Sequence, residues 1–292
     1  MNPATDIAEF LTSRRAKITP EQAGLPSYGT RRVPGLRREE VASLAGVSAE
    51  YYRRLERGQV TGVSDLVLEA LARALQLDDA ERTHLFDLAR AAGRVGVVSP
   101  SRARAPKTLV RPIVQRLLDQ IEAAAIVGNV RGDLLAANAL GRALYAPVFE
   151  SPEQPANSAR FTFLDPAAPD FYPDWDRLAS ELVATLRSQA GRNPHDRNLQ
   201  DLIGELSTRS DAFRVRWAAH NVRFHRTGTK RMHHPVVGEL TLSYETMTVD
   251  ADADDGLRVA LYTAEPGSAS QQALDLLASW TATPATDATP RA

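Results

Sequence analysis

The chain has 292 residues, of which 43% are hydrophobic and 24% charged, and a formal net charge of −1. That length accommodates two ordinary domains with cores of their own, and that balance excludes both a disordered chain and a general polyanion binder. No apolar run approaches the roughly 18 residues of a spanning helix, so no membrane insertion is expected. Asp6 and Glu9 within the first ten residues argue against a secretory leader, and the lack of cysteine excludes disulfides and fits a reducing, cytoplasmic setting.

Residues 4–17 place Ile7, Phe10, Leu11 and Arg14 at helical spacing. Thr19-Pro20-Glu21 reads as a short turn, and Tyr28 to Gly35 as a loop. Arg37 to Ala45 forms the next helix, with Val41, Leu44 and Ala45 on one face. Gly46 stops it, Ser48 caps a helix over Ala49 to Arg57, and Gly58 ends that helix. Ser64 caps a fourth helix with Leu66, Leu68, Leu71 and Leu75 as apolar positions; Asp79 opens a fifth with Leu85, Phe86, Leu88 and Ala89. Residues 1–93 thus predict an all-α five-helix domain. The Gly-, Pro-, Ser- and Arg-rich stretch 94–107 predicts a linker.

Beyond it a helix near 108–122 leads into an apolar strand, Ala124 to Val130. Arg131-Gly132-Asp133 turns into a second strand, Leu134 to Ala137, and Asn138 caps a helix reaching Tyr145. Helices follow at 173–190, 196–208 and 210–220, then strands at 228–233, 238–249 and 257–264, and a helix near 268–281. This order predicts an α+β domain over 108–282, an antiparallel sheet with helices packed on one side. The Thr-, Ala- and Pro-rich tail 283–292 is expected to be disordered.

Charge is not evenly spread. Between Arg31 and Gly58 stand seven arginines and four glutamates, a compact basic face in a near-neutral chain. Arg38 to Gly58 also meets the demands of two crossed helices: small Ala42 at the crossing, Gly46 at a left-handed turn, Val47 between the helices, and Tyr52 and Leu55 inward. Ala49, Glu50, Arg53, Arg54 and Arg57 are left on outward or flanking faces, where a recognition helix meets a major groove.

The pattern A-x-x-A-G-V-S followed by L-E-x-G at Leu55, Glu56 and Gly58 resembles the xenobiotic-response-element helix-turn-helix family over residues 5–92. The resemblance implies that Arg38 contacts phosphate and neighbouring bases, that Ala49, Glu50 and Arg54 face base edges, and that Glu56 ties the helix end to backbone or an arginine. Arginine reads guanine bidentately and glutamate accepts from cytosine, whereas Arg31, Arg32, Arg37 and Arg57 suit phosphates. Ser48, the cap, completes the expected DNA-facing set. The alternative for each arginine is a solvated or intrahelical pair, such as Glu50 with Arg54.

R-R-V-P-G-L-R-R-E-E-V-A at Arg31 to Ala42 and Y-Y-R-R-L-E at Tyr51 to Glu56 narrow the likeness to the MmyB-like regulators. So do A-R-F-T-F-L-D-P at Ala159 to Pro166, F-R-V-R-W-A-A-H-N-V at Phe213 to Val222, H-P-V-V-G-E-L at His234 to Leu240 and Y-T-A-E-P-G-S at Tyr262 to Ser268. This resemblance implies a PAS-like ligand-binding domain, of which a member holds a fatty acid. Trp175, Phe213 and Trp217 would wall an apolar pocket, and Arg187 or His220 would pair with a carboxylate at its mouth. The other reading makes those aromatics simple core. The irregular spacing of His220, His225, His233 and His234 argues against a metal site, and no catalytic motif is present, so neither enzyme nor cofactor is expected. The expected protein is a homodimeric regulator binding double-stranded DNA and a small molecule. The alternative is a constitutive DNA-binding protein whose C-terminal domain only dimerises or contacts a partner.

Overall fold

The computed structural model describes residues 2–25, 33, 35–93, 110–194, 196–221, 227–249 and 256–282. The expectations for the linker, the tail, Arg31, Arg32 and His225 lie outside them. Contacts divide the chain into two compact units: Met1–Ala103 with Glu181–Phe224, and Arg104–Ser180 with His225–Ala292.

The first unit opens with five helices, α1 (Pro3–Lys17), α2 (Arg38–Ala45), α3 (Ala49–Leu55), α4 (Asp65–Ala74) and α5 (Asp79–Gly93). Their shared core holds Ile7, Phe10, Leu11, Val41, Tyr52, Leu55, Leu71, Leu75 and Leu85, all essentially sealed from solvent. Ser48 and Ser64 cap as expected, their hydroxyls accepting from Tyr51 N and Val67 N. Two apolar positions depart from expectation, Leu66 being 82% exposed and Leu44 39%. At about 100° per residue Leu66 sits roughly 200° around the helix from Leu68, so it faces away from the stripe that Leu68, Leu71 and Leu75 bury.

The second unit contains α6 (Pro112–Leu118), β1 (Ala124–Gly128), β2 (Leu134–Ala137), α7 (Ala139–Leu144), α8 (Ala146–Phe149), α9 (Ser158–Leu164) and α10 (Ala168–Phe171). Next comes α11 (Trp175–Arg192), in which the division between units falls. Then α12 (Arg197–Arg209) and α13 (Asp211–Ala218) belong to the first unit, and β3 (Thr227–His234), β4 (Gly238–Thr248), β5 (Arg258–Thr263) and α14 (Ala269–Ala282) return to the second. The strands form one antiparallel sheet in the order β2-β1-β5-β4-β3. Alternation sends Ala124 and Ile126 to a core with Tyr145, Phe161, Met232, Leu240, Leu242, Tyr262 and Leu274. Ala125 and Val127 go to the opposite face, against Val114 and Leu118 of α6. Helices therefore cover both faces, a correction to the one-sided packing expected. The short α6 ends at Leu118, before the predicted 122, although Ile121 beyond it still packs against the same apolar cluster.

Two asparagines fix the β1–β2 corner. The Asn138 side chain accepts from Ala125 N (3.0 Å) and Gly141 N (2.8 Å) and donates to the Ile121 and Ala123 carbonyls (2.9 and 2.8 Å). Asn157 accepts from Ala159 N and Arg160 N and donates to Arg131 O and Asp133 Oδ1. Both are buried, and their side chains satisfy backbone groups of the corner that lie in or next to the core.

Candidate functional site

The turn between α2 and α3 is set by Gly46 at φ +67°, its N–H directed to the Ala42 and Ser43 carbonyls, with Val47 N on Ala42 O at 2.9 Å. The start of α2 is closed by Arg37 N on Glu40 Oε2 at 2.6 Å. Tyr52 and Leu55 anchor α3 in the core, so the remaining face of that short helix turns outward. Glu50, Arg53, Arg54 and Arg57 are exposed there and Ala49 half-buried, while Ser48, Arg37 and Arg38 flank them, also exposed. Glu50 pairs with Arg53 one turn on at 2.8 Å, not with Arg54. The Arg54 Nε approaches Gln59 Oε1 at 3.4 Å instead.

Beneath this surface lies one buried carboxylate. Glu56 receives Arg15 Nε at 2.5 Å and Arg38 Nε on its other oxygen. Burial works against its charge, but the hydrogen bonds from Arg15 and Arg38 outweigh that and hold it below the usual carboxylate range. Arg15 also donates to the Leu36 carbonyl at 3.0 Å, so Glu56 and Arg15 tie α1, α3 and the approach to α2 together. Arg38 is thus held at its Nε while half of its side chain stays exposed. Gly58 admits the closest backbone approach: at φ +78°, a Cβ there would lie 2.2 Å from the Ala4 carbonyl oxygen.

Four of the five residues expected around a ligand gather within the first unit. The Arg187 guanidinium lies over the Trp217 ring, 4.1 Å from its centroid, with Nη1 3.0 Å from His220 Nδ1 and Nη2 on the Trp217 carbonyl. Phe213 stacks on Trp217 at 5.5 Å. The α1 helix faces this group: Arg14 donates to the His220 carbonyl and pairs with Glu81, Lys17 reaches Ala219 O (3.2 Å) and Asn221 Oδ1 (2.6 Å), and Glu9 stands 3.4 Å from His220 Nε2. Burial, then Arg187, Arg14 and Lys17, push His220 down to about 4. Deeper still, His84 is pushed down to about 3 by burial and then by Arg187 and Arg14. Trp175 does not join them; it packs on Phe163 at 6.0 Å and donates to the Thr162 carbonyl at 2.8 Å. Its position twelve residues before Arg187 in α11 separates the two by about 18 Å of helix rise.

The sheet unit holds a cluster that sequence reasoning missed. Lys230 Nζ lies 5.6, 5.8, 5.6 and 5.5 Å from the ring centroids of Tyr145, Tyr172, Tyr244 and Tyr262. It donates to Tyr145 Oη at 2.9 Å, and Tyr145 donates onward to Tyr262 Oη at 2.7 Å. One signal was available: along β3, Lys230 shares its alternation with buried Met232 and His234, putting a lysine on the inward phase. The tyrosines come from four separate places in the chain and leave no local pattern.

The family model described as MmyB-like transcription regulator ligand binding domain matches residues 110–277, more than half of the chain. The chain belongs to this family. A helix-turn-helix domain model matches residues 7–85, the segment that carries the outward face of α3. Among curated proteins none matches. This MmyB-like protein is therefore a helix-turn-helix DNA-binding transcription regulator with a ligand-binding domain, in a family of regulators and not of enzymes. Among the described residues, no helix is long and apolar enough to cross a membrane. The ligand-domain match includes residues 181–221, which in this MmyB-like chain pack in the same compact unit as the helix-turn-helix.

Proposed function

We propose that α3 enters the major groove, with Ala49, Glu50 and Arg54 toward base edges and Arg37, Arg38, Arg53 and Arg57 toward phosphates. Arg31 and Arg32 are assigned to phosphates on the sequence alone, and Ser48 caps the reading helix. The observation that carries this is the division of α3: Tyr52 and Leu55 are sealed in the core, and the charged face opposite is exposed. Two copies would act as a homodimer in the cytoplasm, since paired modules about one helical turn apart match a palindromic site. The exposed pairs Ile113 with Leu117 on α6 and Leu276 with Trp280 on α14 are apolar surface suited to a second copy.

The proposed ligand is a small, lipid-like acid of the fatty-acid class. Binding would shift DNA affinity through the helices α11 to α13, because part of the ligand-domain sequence packs on α1 and α5. A gel-shift series with duplexes selected from random sequence tests the reading. Arg54→Ala should relax preference at one base position, by about 1–3 kcal/mol of discrimination. Arg57→Ala should weaken all duplexes alike and lower the salt slope by about one. Unchanged affinity and selectivity in both variants would refute the groove assignment. DNA binding that never responds to added acid would favour a C-terminal domain that only dimerises.

A further inference from the structure

We propose that Lys230, with the hydroxyls of Tyr145 and Tyr262, is the receiving site for the carboxylate of the ligand, in place of Arg187. The inference rests on the ligand-sensing reading above and assigns its anionic end. The charge of Lys230 is unbalanced. An ammonium has three N–H donors and no acceptor, and Lys230 directs one of them to Tyr145 Oη. Among the described residues no carboxylate forms an ion pair with it. Four ring faces within 5.8 Å supply only the quadrupolar attraction that aromatic rings offer a cation.

The phenols do not provide the missing negative charge. Burial pushes the Tyr145, Tyr172 and Tyr262 hydroxyls well above their ordinary range, so they remain O–H donors at neutral pH. The proton of Tyr145 points to Tyr262, and Lys230 bonds Tyr262 as well as Tyr145, which leaves the Tyr262 hydroxyl proton and one ammonium proton in surplus. A cluster with more donors than acceptors around one uncompensated cation is complementary to a monoanion, and a carboxylate's two oxygens take two to four such bonds. The surroundings favour an apolar tail on that anion. Met232, Leu240, Leu242, Phe161 and Phe171 border the same core.

Small neighbours let these rings lie close against the sheet. Across the sheet Tyr262 pairs with Ala124 and Tyr244, and Tyr244 pairs with Gly228, where a Cβ would press within 3.3 Å of the Tyr244 ring. Arg187 is engaged by its own surroundings: its two terminal nitrogens and its flat face are already taken by His220, Trp217 O and the Trp217 ring.

Titration calorimetry on the full chain, with dodecanoate, dodecanol and inorganic phosphate as probes, tests this. Wild type should bind dodecanoate more tightly than dodecanol and should ignore phosphate. Lys230→Met should weaken dodecanoate by about tenfold or more and leave dodecanol unchanged, and Tyr262→Phe should weaken dodecanoate less. Arg187→Met should keep the preference for dodecanoate over dodecanol as in wild type. Retained dodecanoate affinity in Lys230→Met, equal affinity of wild type for acid and alcohol, or loss confined to Arg187→Met overturns the assignment, as does a wild type that binds phosphate alone. Dodecanol binding by Lys230→Met serves as the folding control, and its loss there shifts the test to Tyr262→Phe, where unchanged acid affinity overturns it. Lys230-dependent binding without any change in DNA affinity would leave this site standing and defeat ligand control instead.

Discussion

Lowering the pH from 7.5 to 5.0 should destabilise the helical unit through His84. The ring is 3% exposed, edge-on to Phe10 at 5.2 Å, and covered by Gly191, where a Cβ would lie 2.6 Å from its Cε1. Its Nδ1 has no hydrogen-bond partner among the described residues, so a proton there would add a buried charge with nothing to accept it. Burial first, then Arg187 and Arg14, push its folded pKa to about 3 from an ordinary 6.5. A histidine lowered in this way stays neutral when folded, while the unfolded chain takes up a proton below pH 6.5. Its stability contribution is complete above that value and is lost as the pH falls toward the folded value. At about 1.36 kcal/mol per pH unit, descent to pH 5.0 costs about 2 kcal/mol from this one ring. His220, with a folded value of about 4, follows the same sign, but its partial exposure and the nearby Glu9 carboxylate make its loss smaller. Against a usual total of about 5–15 kcal/mol the His84 loss is large. Urea unfolding followed by circular dichroism at the two pH values, in wild type and His84→Leu, measures the effect. The variant should lose about 2 kcal/mol less than wild type over the same interval, whatever its absolute stability. Parallel losses in the two proteins would show that the His84 pocket does not exclude the proton, and the reasoning would fail.

The two glycines that bound α2 and α3 should differ sharply in tolerance. Gly46→Ala meets no atom within 4 Å and strains only φ +67°, so it should cost about 1–2 kcal/mol and leave DNA binding intact. Gly58→Ala adds to φ +78° a collision with the Ala4 carbonyl, so α1 must shift; thermal unfolding should fall much further and DNA affinity with it. Asn138→Ala should orphan two N–H groups and two carbonyls at the β1–β2 corner, for a loss of about 2–5 kcal/mol, read as a lowered urea midpoint.

Much of the helical half was legible because its signals are local. Ser48, Ser64 and Asn138 sit just before apolar periodic runs, and each caps the helix that follows. The alternation of Leu240 and Leu242 likewise gave β4 its buried face. The short helices α8, α9 and α10 were not foreseen: Phe161 of α9 packs on Phe171 and Tyr172, and Phe171 of α10 on the distant Tyr145 and His234, contacts that leave no repeat in four to seven residues. Helical spacing did bring Phe213 and Trp217 together, but it could not reveal that α1 supplies Arg14, Lys17 and Glu9 to the same place. Trp175 was grouped with them on residue type, and Thr162 and Phe163 claim it instead. The tyrosines around Lys230 illustrate the same limit: periodicity reports neighbours along a chain and is silent on convergence across it.

The make-up of the contact between α1 and the segment from α11 to α13 bears on whether a ligand could regulate DNA binding. It is built largely of polar groups, and several are imperfectly served: Arg14 Nε, Arg187 Nε and Ser188 Oγ are buried without partners among the described residues. Each such atom costs about 1–3 kcal/mol, a penalty recovered when water reaches it. The favourable terms, Arg187 over Trp217 and the donors from Arg14 and Lys17 to the end of α13, are thereby partly offset. A contact so balanced needs only a small bias, and coupling free energies of about 1–3 kcal/mol are what regulatory ligands typically supply. The five-helix core beneath, with Tyr52, Leu55 and Leu71 fully sealed, carries two such atoms of its own, Tyr52 Oη and His84 Nδ1, but surrounds them with a continuous apolar core. A ligand that repositions α11 would therefore act by loosening or tightening this polar contact.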